Sequence, residues 1–370
     1  MRLRKDSKIY FHFSSRFWIA DVCQMDNFSK SLISWHKKHG RHDLPWQREP
    51  TPYHVWVSEI MLQQTQVGTV IPYYTRFIDR FPDIQSLANS ELDEVLSHWA
   101  GLGYYARGRN LHRAAQMICD DRGGTIPSSK EKLLTLPGIG RSTASAIMAL
   151  AFNQRHAILD GNVKRVLSRF YAISGWPGES EVEKQLWQLA ENLTPKKNVS
   201  RYTQAMMDLG ATVCTRSQAR CDICPVAQGC FARQQGMQHQ YPASKLKKAI
   251  PLRKIVFLLL ENKVGEILFQ RRPSTGIWGG LWCFPECSPD DDIEKWLLAE
   301  TGFSASITGQ LSVIKHTLTH FRLEILPIHL KTKQCNNIKE MDDHRWCLSG
   351  DVLKFGVPAP VKNLLLTISK

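Results

Sequence analysis

The chain has 370 residues, enough for two globular units, and its 43% hydrophobic and 22% charged residues are those of a globular protein with a real core. A net charge of +14 and a pI of about 9.4 favour a polyanionic partner, because each phosphate neutralised by Lys or Arg releases counterions. The longest apolar run, Ile255 to Leu260, is too short to cross a bilayer, which argues against a membrane span.

Residues 1–25 read as an N-terminal extension. Arg2, Arg4, Lys5, Lys8 and Arg16 mix with Phe11, Phe13, Phe17 and Trp18, without the apolar stretch and small-residue cleavage site of a secretory signal. A transit peptide would account for them; an upstream start codon, with Met25 as the working initiator, is the plainer account. From 26 to 233 the pattern is helical, with apolar residues recurring at three- and four-residue intervals. Thr51-Pro52 supplies an N-cap and a proline at the first helical position, Phe81-Pro82-Asp83 breaks the next helix, and Asp121 to Gly124 separates two more. Residues 234–251 are Gln-rich and then basic, a linker suited to lie along a phosphate backbone. From 252 to 370 strands appear ("KIVFLLL", "GEILFQRR", "RLEILPIHL") around a helix near Ile293 to Glu300, an α+β unit.

Two motifs carry chemistry. Of ten cysteines, Cys214, Cys221, Cys224 and Cys230 crowd together as C-x6-C-x2-C-x5-C. Such crowding indicates metal ligation in a reducing compartment, here the cytoplasm, rather than a disulfide scaffold. Zinc normally draws on two C-x2-C knuckles and only one exists here, so the spacing favours an iron–sulfur cluster over zinc. Arg216 and Arg220 between the ligands suit phosphate docking. The second motif, "LTLPGIGRSTASAIMALAF" from Leu134 to Phe152, places Pro137, Gly138 and Gly140 in a tight turn opening a helix. Backbone amides at that helix start would bind a DNA phosphate without reading sequence; a packing corner is the bland alternative.

With the strings "VWVSEIMLQQTQV", "GLGYYARGRNL", "LDGNVKRVL" and "QAMMDLGATVCTR" added, the chain resembles the helix-hairpin-helix, endonuclease III-like DNA glycosylase superfamily, and within it the MutY-type adenine DNA glycosylase family. The resemblance implies a mainly α catalytic region of two helical modules plus a [4Fe-4S] loop, joined to an α+β Nudix-like domain. It also implies a monomer that binds double-stranded DNA and removes adenine mispaired with 8-oxoguanine or guanine.

Glu59 follows Val55 by four residues and precedes Leu62 by three, so it points along an apolar stripe, where desolvation would raise its pKa. The resemblance makes it the acid that protonates adenine at N7. Asp160 precedes a helical pattern and reads as an N-cap. The family's matching aspartate stays ionised across the sugar, and a carboxylate held by backbone amides is expected to keep a low pKa. Asn162 would support it by hydrogen bonding. Bifunctional relatives carry a lysine directly after the G-x-G-R turn; here Ser142 stands there, and a hydroxyl cannot form a Schiff base.

To reach the base the enzyme must extrude it. By resemblance Gln64 would intercalate, Thr65 would hydrogen-bond beside it, and Tyr104 would push at the stack. The residue types alone are compatible with a solvated helix end and core aromatics. Arg107, Arg109 and Arg113 are candidate phosphate contacts, or simply a solvated charged face.

In the C-terminal unit Gly280 and Glu286 match the start of the Nudix signature. Aligned on Gly302, its metal-binding glutamate positions fall on Trp296, Ala299 and Glu300, so Mg²⁺-dependent hydrolysis is not expected. In "KHTLTHF", Leu318, Thr319 and His320 occupy the family's lesion-reading Phe-Ser-His, with the aromatic face lost at Leu318. The rival readings are an endonuclease III-like glycosylase/lyase acting on oxidised pyrimidines, a non-catalytic damage-binding module, and nucleotide hydrolysis by the C-terminal unit.

Overall fold

The computed structural model describes residues 18–245, 249–335 and 343–368. The first 17 residues of the extension and residues 246–248 of the linker lie outside the described residues. In chain order the helices are α1 (Trp18–His39), α2 (Pro45–Arg48), α3 (Pro52–Leu62), α4 (Val67–Arg80), α5 (Ile84–Ala88), α6 (Leu92–Trp99) and α7 (Ala106–Arg122). They continue with α8 (Lys130–Leu134), α9 (Arg141–Ala151), α10 (Gly161–Phe170), α11 (Ser180–Leu193), α12 (Val199–Asp208) and α13 (Phe231–Gln234). The C-terminal part adds β1 (Leu252–Glu261), β2 (Ile267–Arg271), β3 (Trp282–Cys283), β4 (Glu286–Cys287), α14 (Ile293–Thr301), β5 (Phe303–Gln310), β6 (Ile314–Thr317), β7 (Arg322–Cys335), β8 (His344–Cys347) and α15 (Ala359–Ile368).

The punctuation expected from the sequence is what starts and stops these helices. Thr51 Oγ1 accepts from the His54 amide at the start of α3, and Asp83 forms a reciprocal capping box with Ser86 at the start of α5. Gly123, at φ +57°, ends α7 in the left-handed conformation that glycine tolerates without cost. Among the described residues no helix is long and apolar enough to cross a membrane.

The chain folds as two compact units. The first comprises the described chain up to Val55, Ser128–Leu134 and Gly140–Lys245. Its core is built by Phe28 and Leu32 from α1, Val166, Leu167 and Phe170 from α10, Leu186 from α11, and Tyr202 and Met206 from α12. One ionic knot lies inside it. Asp208, fully buried, accepts from the Arg41 amide at 2.8 Å and from the Arg41 guanidinium at 2.6 and 3.0 Å, and His36 Nε2 lies 3.3 Å away. Burial opposes ionisation, but the His36 hydrogen bond and the Arg41 charge outweigh it and hold the Asp208 carboxyl below the usual range. A depressed carboxylate contributes stability above its unfolded pKa that is lost as pH falls through the folded one. Arg41→Met, by leaving a buried charge short of its partner, is expected to cost about 3–5 kcal/mol near neutral pH. Urea denaturation should show that cost disappearing once acid protonates Asp208.

The second unit comprises Trp56–Pro127, Thr135–Ile139 and the chain beyond Lys245. Its helical part is packed around Phe77, Phe81, Trp99, Leu111 and Ile118. Its sheet runs β3-β2-β1-β7-β5, with β4 on β1, β6 on β7 and β8 on β2. β1 and β7 are parallel, with Leu252 opposite Arg322 through to Glu261 opposite Lys331, and the other pairs are antiparallel. β1 reads as an unbroken apolar run because both of its faces are covered. Phe257 and Leu259 pack with Leu364 and Leu365 of α15, while Val256, Leu258 and Leu260 pack with Leu297 of α14.

Leu96 of α6 is buried in the same cluster as Phe257 and Trp282. Beside it the Asp93 carboxylate accepts from Arg271 at 2.9 Å and from the Trp282 indole at 3.2 Å. Arg109, a candidate phosphate contact from the sequence, instead donates to the Gly279 carbonyl.

Candidate active site and thiol pocket

In the first unit Asp160 lies at the N-cap of α10, where its Oδ1 accepts from the Val163 amide at 2.8 Å, as the sequence predicts. Asn162 Nδ2 is 3.4 Å from the other carboxylate oxygen. Ser142, on the first turn of α9, accepts from the Leu159 amide at 3.0 Å and so braces the segment that delivers Asp160. The expectation of a low Asp160 pKa is overturned. Burial pushes the carboxyl up, and the amides of Val163 and Asn162 and the Arg165 charge offset this only in part.

Two residues that the sequence did not single out complete this region. Arg165, one turn into α10, donates to Asn162 Oδ1, to the Gly210 carbonyl and to the Cys214 carbonyl, each at 2.8 Å. Gly210 permits the approach: a Cβ there would sit 2.5 Å from Asn162 Cβ and 3.2 Å from its Cα. The glycine in "MMDLGATVC" was the available signal, although a mid-helix glycine by itself names no partner.

Cys214, Cys221, Cys224 and Cys230 are all free thiols lining one pocket, walled by Val166, Phe170, Leu209, Val213 and Val226. Arg169 donates to Cys214 Sγ at 3.3 Å and to the carbonyls of Thr215, Arg216, Gln238 and Tyr241, tying the thiol-bearing loop to α10. Burial raises the Cys221 and Cys230 thiols and pushes Cys224 up to about 12. Thiols so reluctant to ionise become ligands only when a cationic centre takes their protons' place. Among the described residues no three His, Cys, Asp or Glu side chains are grouped so as to hold a single metal ion. Four thiols ringing one pocket are a donor set that fits an iron–sulfur cluster.

In the second unit Glu59 is half-buried on α3, a helix whose Trp56, Val57, Ile60 and Met61 are buried. Gln64 and Tyr104 are exposed, and Thr65 is half-buried. Gln64 and Tyr104 adopt positive φ, 56° and 50°. Gly138, at φ +82°, is pressed against Asn110 and its carbonyl accepts from Gln63 Nε2 at 3.4 Å. Gly140, in the first unit, caps α9. Arg107 is not a phosphate contact: its guanidinium is buried under main-chain carbonyls.

In the sheet Glu286 is ion-paired with Arg272, Trp296 is half-buried, and Ala299 and Glu300 are exposed on α14. The turn after β6 closes with the Leu318 amide donating to the Phe321 carbonyl. Leu318 turns inward onto the sheet's core cluster, leaving Thr319 and His320 exposed.

The fold and these sites define a helix-hairpin-helix base excision protein with a Nudix-like C-terminal domain. Residues 57–192 match the HhH-GPD superfamily of base excision DNA repair proteins, and residues 255–367 match the NUDIX domain. The chain is 38% identical over 344 residues to the adenine DNA glycosylase of Buchnera aphidicola subsp. Acyrthosiphon pisum, covering 93% of this chain and 98% of that protein. It is 36% identical to the human adenine DNA glycosylase over 84% of this chain and 68% of that protein. A thermostable thymine-DNA glycosylase structure superposes with a TM-score of 0.53 at 26% identity, over 58% of this chain and 98% of that one. The chain belongs to the adenine DNA glycosylase family, and so to the DNA N-glycosylases of base excision repair.

Proposed function

We propose that the protein is a monofunctional glycosylase that hydrolyses the N-glycosidic bond of adenine paired with 8-oxoguanine or guanine, acting as a cytoplasmic monomer on duplex DNA. Glu59 donates a proton to N7 of the extruded adenine, which leaves as the neutral base. Asp160 offsets the positive charge that develops on the sugar, and water adds at C1′ to leave an abasic site. The division of labour follows that of glycoside hydrolysis, with one carboxyl as acid and the other as anion. Asn162 orients Asp160. Cys214, Cys221, Cys224 and Cys230 would hold a [4Fe-4S] cluster, which would supply a structural crosslink for the loop that carries Arg216 and Arg220, the cations that meet phosphate. The amides around Gly138 and Gly140 take another phosphate. Gln64, Thr65 and Tyr104 fill the space beside the extruded base, and Leu318, Thr319 and His320 meet the 8-oxoguanine strand.

The observation that carries this reading is the setting of Asp160. A half-buried carboxyl at a helix N-cap lies beside a segment braced by Ser142, which stands where a lyase would need an amine. The test is excision from duplexes bearing adenine opposite 8-oxoguanine, guanine or thymine, followed by borohydride trapping on abasic DNA. Adenine release from the first two without efficient cross-linking is expected. Trapping as efficient as that of a lysine-bearing lyase would refute monofunctional hydrolysis, and equal release opposite thymine would refute mispair selection.

A further inference from the structure

Arg107 has no assigned part in the chemistry above, yet it is among the most constrained side chains of the second unit. It is 8% exposed. Nη1 donates to the carbonyls of Ile60, Met61 and Gln63 at 3.0, 2.6 and 2.5 Å. Nη2 donates to Thr65 Oγ1 at 3.1 Å and to the carbonyls of Leu102 and Gly103 at 3.4 and 3.1 Å. One guanidinium therefore holds the end of α3 and the turn after it with one nitrogen, and ties that turn to the 102–104 loop with the other. Its carbon lies 5.4 Å from the Tyr104 ring centroid and 5.5 Å from that of Trp99, whose indole donates to the same Gly103 carbonyl.

The charge and the strain at this place explain each other. A buried cation is costly unless its donors are satisfied, and carbonyls at the end of a helix need donors as much as the cation needs acceptors; Nη1 and Nη2 meet both needs here, while Nε has no partner. Gln64 and Tyr104 both sit at positive φ, a conformation that non-glycine residues keep only when the surroundings over-determine it. Both side chains are exposed. Arginine alone among side chains offers a planar fork wide enough to serve two loops at once; lysine concentrates its donors on one atom.

We propose that Arg107 is the positioning residue that locks the 60–65 turn and the 102–104 loop into one rigid insertion element, so that Gln64 and Tyr104 enter the base stack together. The proposal rests on the reading that the enzyme extrudes adenine before cleaving it. Arg107 touches neither base nor sugar; it acts through the two loops.

The test uses the full-length holoenzyme and compares wild type with Arg107→Lys and Arg107→Ala. Single-turnover adenine release should fall about 100-fold in both, the penalty of misplacing a positioned group. Binding to the lesion duplex, dominated by phosphate contacts, should weaken by less than about tenfold. 2-Aminopurine placed beside the target adenine should brighten on binding wild type, as the stack opens, and stay quenched with the variants. Methylguanidinium should restore brightening and excision to Arg107→Ala, while methylammonium should not. If wild type releases no adenine, the functional reading fails. If wild type is active and Arg107→Lys brightens the reporter and excises at the wild-type rate, the clamp is refuted. Should both variants fail to fold, a double-mutant cycle of Gln64→Ala with Tyr104→Ala in the intact protein decides. Coupled losses are expected of one element, and additive losses of two independent loops overturn the proposal.

Discussion

Glu59→Gln is expected to lower single-turnover release of adenine by at least about 1,000-fold, within the range that a positioned general acid supplies. Binding to a duplex with adenine opposite 8-oxoguanine should stay within a few-fold of wild type. The amide keeps the size and hydrogen-bonding shape of the carboxyl but has no proton to give, so the loss falls on chemistry rather than affinity. The setting of the residue supports this separation. α3 is largely apolar, with Trp56, Val57, Ile60 and Met61 buried, and Glu59 is a half-buried acid set in that apolar surface. The end of the same helix is pinned by Arg107 through the Ile60 and Met61 carbonyls, which fixes the reach of Glu59. Single-turnover assays with saturating enzyme separate the two effects. A variant that retains a near-normal rate would remove Glu59 from the role of acid.

The parts of this molecule legible in the sequence are those coded locally. The caps at Thr51 and Asp83, the left-handed stop at Gly123 and the turn at Gly138 each depend on residues within one turn of themselves. Asp160 belongs with them, since a carboxylate three residues before an amide it accepts from is an N-cap by spacing alone. The crowded cysteines were legible for the same reason. What spacing does not encode is how a side chain is satisfied across a long loop. Arg107 reads as a surface cation, because the three carbonyls that Nη1 meets lie 44 to 47 positions away. Arg109 reads the same way, and its acceptor is 170 positions distant. The knot at Asp208 spans 167 positions to Arg41. The pKa of Asp160 failed for a related reason: capping was visible and burial was not, and burial dominates.

These non-local arginines share a pattern. Arg107, Arg165 and Arg169 each spend their donors chiefly on main-chain carbonyls at helix ends and in the loops that follow them. A guanidinium can satisfy several such carbonyls from one side chain, whereas a helix or strand would have to be built to do the same. Loops that must hold a defined shape at a surface are thereby made rigid without being made regular. Part of the +14 charge thus serves the fold, so net charge overstates the number of cations free to meet phosphate.

Asp160→Asn is the second substitution expected to have a large effect, a fall in excision of about 100- to 1,000-fold, as for loss of one preorganised electrostatic partner. Asparagine caps a helix as well as aspartate does, so α10 should keep its start. The sign of the shift at Asp160 then makes two further outcomes follow. Burial raises the carboxyl, so the folded protein disfavours its ionised form. As pH rises from the ordinary aspartate value through the folded one, wild type binds more protons folded than unfolded and loses stability; the variant has no such group. Thermal melts should therefore coincide in acid, and above that interval the Asn variant should melt higher. In the proposed mechanism Asp160 acts as the anion, so the same upward shift is expected to move the acid limb of the wild-type rate profile above the ordinary aspartate value. A limb found at the ordinary value of about 3.9 would mean that the carboxyl is solvated when it acts, and a buried anion opposite the sugar would have to be abandoned.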